Sequence, residues 1–171
     1  MDKFNGEDPY HLLKGVEDIY NGNDKRFLIH RAWDKWDQVY GNSRLDYEVY
    51  ALCDGTDGGP FEYGPIKLNY RPKYIGSGQE GRAIDSRGNG RQRDKPGEKY
   101  YWLEQMSLLK KDVRIEILGR YQTKQKSLMV EIQLLTLFKE LGVYLTNAEY
   151  TWTQVPLRKS DISNPPPLIL C

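Results

Sequence analysis

Along residues 10–20, apolar side chains recur at Leu12, Leu13, Val16, Ile19 and Tyr20, three or four positions apart. That is the spacing of one helix face, and it predicts a short amphipathic helix. "NGND" (21–24) interrupts it. A second stripe follows at Ile29, Trp33, Trp36 and Tyr40, with Asp24 placed to cap its start and Gly41 where a helix commonly ends. The period then falls to two. "YEVYALC" (47–53), "PKYIG" (72–76) and "DVRIEILGRY" (112–121) alternate or are rich in β-formers, and predict three strands. Between the first two, 54–72 is dense in glycine and proline and long for a hairpin loop, so it reads as an excursion, either functional or mobile. "PGEKYYWLEQMSLLKK" (96–111) predicts a helix with Trp102, Leu103, Met106 and Leu109 along one side, and "QKSLMVEIQLLTLFKELG" (125–142) predicts the last.

This order of elements is α+β: a small three-stranded antiparallel sheet flanked by helices, with a short helix after the glycine turn that follows residue 75. Three parts are expected: a helical extension over 1–46, a core over 47–150 and an extended tail over 151–171 that contains three consecutive prolines.

One position breaks the pattern of the last helix. At about 100° per residue, Val130, Leu134, Leu135, Leu137, Phe138 and Leu141 share one arc, opposite Gln133, Thr136, Lys139 and Glu140. Glu131 lies within the apolar arc. A carboxylate there costs several kcal/mol unless a positive charge meets it. The partner is either a Lys or Arg, or a divalent cation. Such cations prefer hard oxygen ligands and are often held by one or two protein carboxylates, with waters and substrate phosphate completing the shell.

Composition narrows the field. The chain of 171 residues suits one core, and 39% hydrophobic residues with 13 Tyr and 4 Trp describe an ordered, aromatic-rich protein. No apolar run approaches the roughly 20 residues of a membrane span, and "MDKFNGEDPY" does not resemble a signal peptide, so a cytoplasmic protein with no membrane partner is expected. Cys53 and Cys171 form no metal-spaced cluster, and His11 and His30 are isolated. The net charge of +1 argues for no nucleic acid by itself, but 82–99, "RAIDSRGNGRQRDKPGEK", gathers six basic residues against Asp85, Asp94 and Glu98.

"KYIGSGQEGR" (73–82) joins these threads. A short β-run turns through Gly76, Gly78 and Gly81, which allow close approach and positive φ, and delivers Arg82, whose guanidinium suits a phosphate. The turn lacks the Lys-[Ser/Thr] ending of a P-loop.

Taken with "EVYAL" (48–52), "SLMVEIQLLTLF" (127–138) and "YLTN" (144–147), this stretch resembles the GIY-YIG nucleases over about 47–150. The resemblance implies a metal-dependent DNA endonuclease. Tyr50 would be the general base or orient the attacking water, Tyr74 would lie beside it, Arg82 would neutralise the phosphate, Glu131 would hold one Mg2+ or Mn2+, and Asn147 would support the site. Arg87, Arg91, Arg93 and Lys95 would touch DNA phosphates. A homodimer and a phage or mobile-element source are compatible with the family. Two departures stand out. Glu48 replaces a family glycine, on a strand where its side chain is expected to face solvent. Ser86 stands where the family often has histidine, so that either Lys73, Arg87 or water substitutes or activity is reduced. A nucleic-acid-binding protein with weak or no turnover on the same fold is the alternative.

Overall fold

The computed structural model describes residues 9–22, 26–40, 45–88 and 97–147. Five helices and three strands follow one another along these residues: α1 (Pro9–Tyr20), α2 (Arg26–Tyr40), β1 (Tyr47–Tyr63), β2 (Ile66–Gln79), α3 (Arg82–Ser86), α4 (Glu98–Leu108), β3 (Val113–Tyr121) and α5 (Lys124–Glu140). The sheet runs β2-β1-β3 and both pairings are antiparallel. The fold is α+β, as the change of period indicated. Asp24, Gly41 and the tail over 151–171 lie outside the described residues. Among the described residues no helix is long and apolar enough to cross a membrane.

The central strand β1 is covered on both faces, so its side chains divide between two cores. Tyr50 and Leu52 join Ile115 and Ile117 of β3 beneath Leu13, Val16 and Tyr20 of α1 and Ile29, Trp33 and Trp36 of α2. Val49, Ala51 and Cys53 join Ile75, Leu118 and Tyr121 beneath Val130, Leu134, Leu135 and Phe138 of α5. Trp33 and Trp36 meet edge to face with centroids 5.8 Å apart, a geometry that adds about 1 kcal/mol to their area burial. Thr123 starts α5 by accepting the Lys126 N–H at 3.1 Å. Leu109 and Leu141, expected on packed faces, are instead the C-cap residues that follow α4 and α5, and both are exposed.

The excursion expected over 54–72 does not exist. β1 continues to Tyr63, β2 begins at Ile66, and the connection is a tight turn with Gly64 at φ 60°. The glycines absorb register shifts between Asp54 and Gly58 and between Gly58 and Phe61, so their density marks bulges within a hairpin. Glu116 reaches across from β3 to stitch the irregular region: its carboxylate accepts the Asn69 N–H at 2.8 Å and the Tyr70 N–H at 3.3 Å. Beyond it Phe61, Tyr63, Ile66 and Leu68 pack with Phe138, which extends the core along α5.

Two asparagines clip the outer edges of the sheet, where strand N–H and C=O groups would otherwise lack partners. On β3, Asn21 accepts the Ile115 N–H at 2.7 Å and donates to the Ile115 carbonyl at 2.8 Å, while Glu17 accepts the Ile117 N–H at 2.7 Å. On β2, Asn147 makes the same paired contacts with Ile75, at 3.0 and 2.8 Å. The second clip lies beside Tyr74 and Gly76.

Candidate active site

Antiparallel register places the first two candidates together. Leu52 is opposite Tyr74 and Tyr50 is opposite Gly76, so the two tyrosines are diagonal neighbours across β1 and β2. Gly76 is required there because a Cβ would sit 2.6 Å from both Cζ and the hydroxyl oxygen of Tyr50. Gly78 plays the same part for Arg82, whose Cγ would lie 2.6 Å from an added Cβ. Of the three glycines in the motif, Gly81 has the positive φ, 84°, and both Gly76 and Gly78 serve close approach within β2. A Gly76→Ala variant is expected to lose about 2 kcal/mol in urea unfolding and to displace the Tyr50 ring. Unchanged stability would show that the ring has room to move aside.

Gly81 ends the turn and Arg82 opens α3, its side chain exposed. What holds this turn is a residue expected to face solvent. Glu48 is fully buried, because α1 and α2 cover that face of β1. The Tyr20 hydroxyl lies 3.0 and 2.9 Å from its two carboxylate oxygens, and the Gly81 N–H donates to Glu48 Oε1 at 3.2 Å and to the Tyr20 oxygen at 3.1 Å. Trp33 Nε1 donates to Tyr20 at 3.2 Å. Burial pushes the Glu48 carboxyl up to about 8, against the opposing pull of the Tyr20 hydrogen bond and the Arg120 charge. Arg120, 1% exposed, lies 3.7 Å over the Trp33 ring and donates to Asp37 at 3.2 Å and to Glu80 at 3.3 Å. A buried polar cluster thus anchors residues 80 and 81, immediately before the exposed guanidinium.

Glu131 comes from α5 and is 8% exposed. Its carboxylate accepts a hydrogen bond from Ser77 Oγ, and among the described residues no Lys or Arg lies at ion-pair distance from it. Burial pushes it up to about 7, with Ser77 pulling the other way. Burial also holds both phenols above their ordinary range. Tyr50 is raised further by Tyr74 and Glu131, and Tyr74 by Glu131 and Tyr100; the nearby Ser86 hydroxyl and the Arg82 charge lower both. Arg82 and Glu131, from different elements, therefore act electrostatically on the same two phenols.

The cation placed on Ser86 is Lys99 of α4, rather than Lys73 or Arg87. Lys99 is 9% exposed, its Nζ donates to Ser86 Oγ at 2.7 Å, and it lies 4.1 Å above the Tyr74 ring centroid. It shares a stripe with Trp102 and Met106, the same discordance of charge and periodicity that singles out Glu131. Lys73 is the extra residue in the irregularity between Leu52/Tyr74 and Cys53/Pro72, and its carbonyl accepts from the Thr146 backbone at 2.6 Å and hydroxyl at 2.8 Å. Asn147 supports the strand as described above. Arg87 turns back to donate to Asn21 Oδ1 at 3.4 Å. Arg91, Arg93 and Lys95 lie outside the described residues.

Among the described residues no group of three His, Cys, Asp or Glu side chains could cage a metal, so any cation here would depend on Glu131 with water and phosphate oxygens. Comparison with protein-family models, curated proteins and solved structures returns no match.

Proposed function

We propose that this protein is a metal-dependent DNA endonuclease that hydrolyses phosphodiester bonds with a GIY-YIG-like site. The observation that carries the reading is the register that makes Tyr50 and Tyr74 diagonal neighbours beside Gly76, with the exposed Arg82 packed against Gly78 and the buried Glu131 bonded to Ser77 between those two glycines. Hydrolysis adds water across a P–O bond. The water oxygen attacks phosphorus in line with the departing oxygen, one water proton is removed, and the leaving oxygen is protonated. Tyr50 and Tyr74, neutral in their buried setting, orient the water and the scissile phosphate through their hydroxyls; Tyr50 takes the water proton as it releases its own hydroxyl proton to solvent, and a solvent water protonates the departing oxygen. Arg82 neutralises the charge that grows on the phosphate.

The chain's residues fit a divalent cation. Glu131 is a buried oxygen donor whose ionised form is disfavoured by its surroundings, and its protein partner is a hydroxyl. It would hold Mg2+ or Mn2+, which when bound supplies Lewis-acid stabilisation of phosphate charge.

Burial of both phenols also favours a second reading, a nucleic-acid binder with little turnover, since neutral phenols hold a phosphate well but abstract a proton poorly. Plasmid and branched DNA incubated with Mg2+ or EDTA separate the two. Mg2+-dependent cutting supports the nuclease, whereas tight, salt-sensitive binding without cutting supports the binder. For a nuclease, Arg82→Lys is expected to cut about 100-fold more slowly, because an ammonium cannot reproduce the planar fork of the guanidinium. Near-normal cutting by that variant would remove bidentate recognition from the mechanism.

A further inference from the structure

We infer that Tyr20 and Glu48 are a positioning pair for Arg82, acting through the Gly81 N–H to fix the turn from which the guanidinium leaves the sheet. Gly81 faces two ways. Its carbonyl accepts the Ile84 N–H at 3.1 Å and so belongs to α3, whereas its N–H is shared between the Tyr20 oxygen at 3.1 Å and Glu48 Oε1 at 3.2 Å. The residue before it has a backbone partner, since the Glu80 N–H donates to the Asp46 carbonyl at 3.0 Å. Gly81 has the buried pair instead.

The direction of these bonds follows from the groups that make them. An indole N–H and a peptide N–H only donate, so Tyr20 accepts from Trp33 Nε1 at 3.2 Å and from Gly81, and its one hydrogen is left for the Glu48 carboxyl. Glu48 Oε1 alone meets both the Tyr20 hydroxyl, at 3.0 Å, and the Gly81 N–H, so the pair holds in either protonation state of a carboxyl that burial pushes up to about 8. Tyr20 and Glu48 are 1% and 0% exposed, so neither can turn away without leaving a buried polar group unmet. Arg82 is held on its other side by β2, where its Cβ and Cγ would lie 3.0 and 2.6 Å from a Cβ added at Gly78. The exposed guanidinium thus leaves from a fixed base. Because Tyr20 lies on α1, the helical layer expected as an extension to the core takes part in placing the phosphate-binding group.

The consequence for turnover rests on the proposed nuclease function, but the hydrogen-bonded pair does not. The test is therefore NMR of the whole chain without DNA, with nitrogen-labelled glycine and arginine and ring-labelled tyrosine, each tyrosine assigned by Phe substitution, beside steady-state cleavage. In wild type the Gly81 amide hydrogen is expected to exchange with solvent about 100-fold or more slowly than an unprotected glycine amide. Tyr20→Phe and Glu48→Met each remove one acceptor of that hydrogen while keeping most of the side chain's volume. Each should speed its exchange about tenfold or more and shift the Arg82 Nε resonance. Glu48→Met should also move the Tyr20 Cζ resonance, because the phenol loses the acceptor of its hydrogen. Under the nuclease reading, kcat falls about 10- to 100-fold in each variant while KM for DNA stays within about twofold, since Arg82 meets charge that grows in the transition state. Should either variant lose its fold, the other variant and the wild-type exchange rate decide. Unprotected exchange of Gly81 in wild type, an unmoved Arg82 Nε resonance in a folded variant, or a variant kcat within about twofold of an active wild type overturns the inference. If wild type cuts no DNA, the nuclease reading fails while the exchange rate and the Arg82 resonance still decide this one.

Discussion

Glu131→Gln is expected to abolish cleavage and at the same time make the folded protein more stable at alkaline pH. The folded-state carboxyl is pushed from 4.5 to about 7 by burial, so between those values the native state binds more protons than the unfolded chain. Stability therefore falls as pH rises through this window, by up to about 3 kcal/mol for this one group. The neutral amide keeps the shape of the side chain and an oxygen to accept from Ser77, and it removes the penalty. Urea unfolding should show a small gain at pH 5 that grows to about 3 kcal/mol at pH 8. Loss of stability at pH 8 would show that the carboxylate is paired in the fold, as part of a structural ion pair. Cleavage should be lost at both pH values, because an amide is a poor ligand for a hard cation compared with a carboxylate.

Arg120→Met is expected to be the most destabilising single substitution in the sheet. The guanidinium is 1% exposed and sits among Asp37, Glu80 and Glu48, all of which favour its charged form against the desolvation that lowers it. Methionine can fill part of the volume over Trp33, but it leaves the carboxylates of Asp37 and Glu80 without their cation and removes the charge that holds Glu48 down. Breaking a buried ion pair from one side typically costs about 3–5 kcal/mol. The same loss should loosen residues 80–82, since Glu80 and Gly81 are both tied to this cluster, and DNA cleavage should fall with it. A change below about 1 kcal/mol would mean that Asp37 and Glu80 find other partners or simply take up protons.

The periodic part of the fold was legible in the sequence because each helix and strand declares itself over a few turns or pleats. α1, α2 and α5 follow from stripes three and four residues apart, and Glu131 was legible as a charge set on such a stripe. Lys99 carries the same signal, but Leu109 and the surrounding polar residues make the stripe of α4 faint. The hairpin over 54–72 was hidden because glycine and proline suggest a loop whether they interrupt a strand or merely bulge it. Glu48 was misplaced for a different reason. A strand reveals which residues share a face, but not whether a helix 28 residues earlier in the chain supplies a phenol to meet its carboxylate. The edge clips are equally nonlocal, joining Asn21 to a strand 94 residues away and Asn147 to one 72 residues back. Candidate chemistry was thus visible as separate residue types, whereas the network that orients Arg82 and the phenols exists only after folding.

Mn2+ titration of the ring-labelled protein, followed by paramagnetic broadening, tests most directly whether a cation on Glu131 shares a pocket with both phenols. Broadening falls off steeply with distance, so the Tyr50 and Tyr74 resonances should broaden at low Mn2+ in wild type and remain sharp in Glu131→Gln, with EDTA reversing the effect. Equal broadening in the two proteins, or broadening of tyrosines elsewhere while these two stay sharp, would contradict the account.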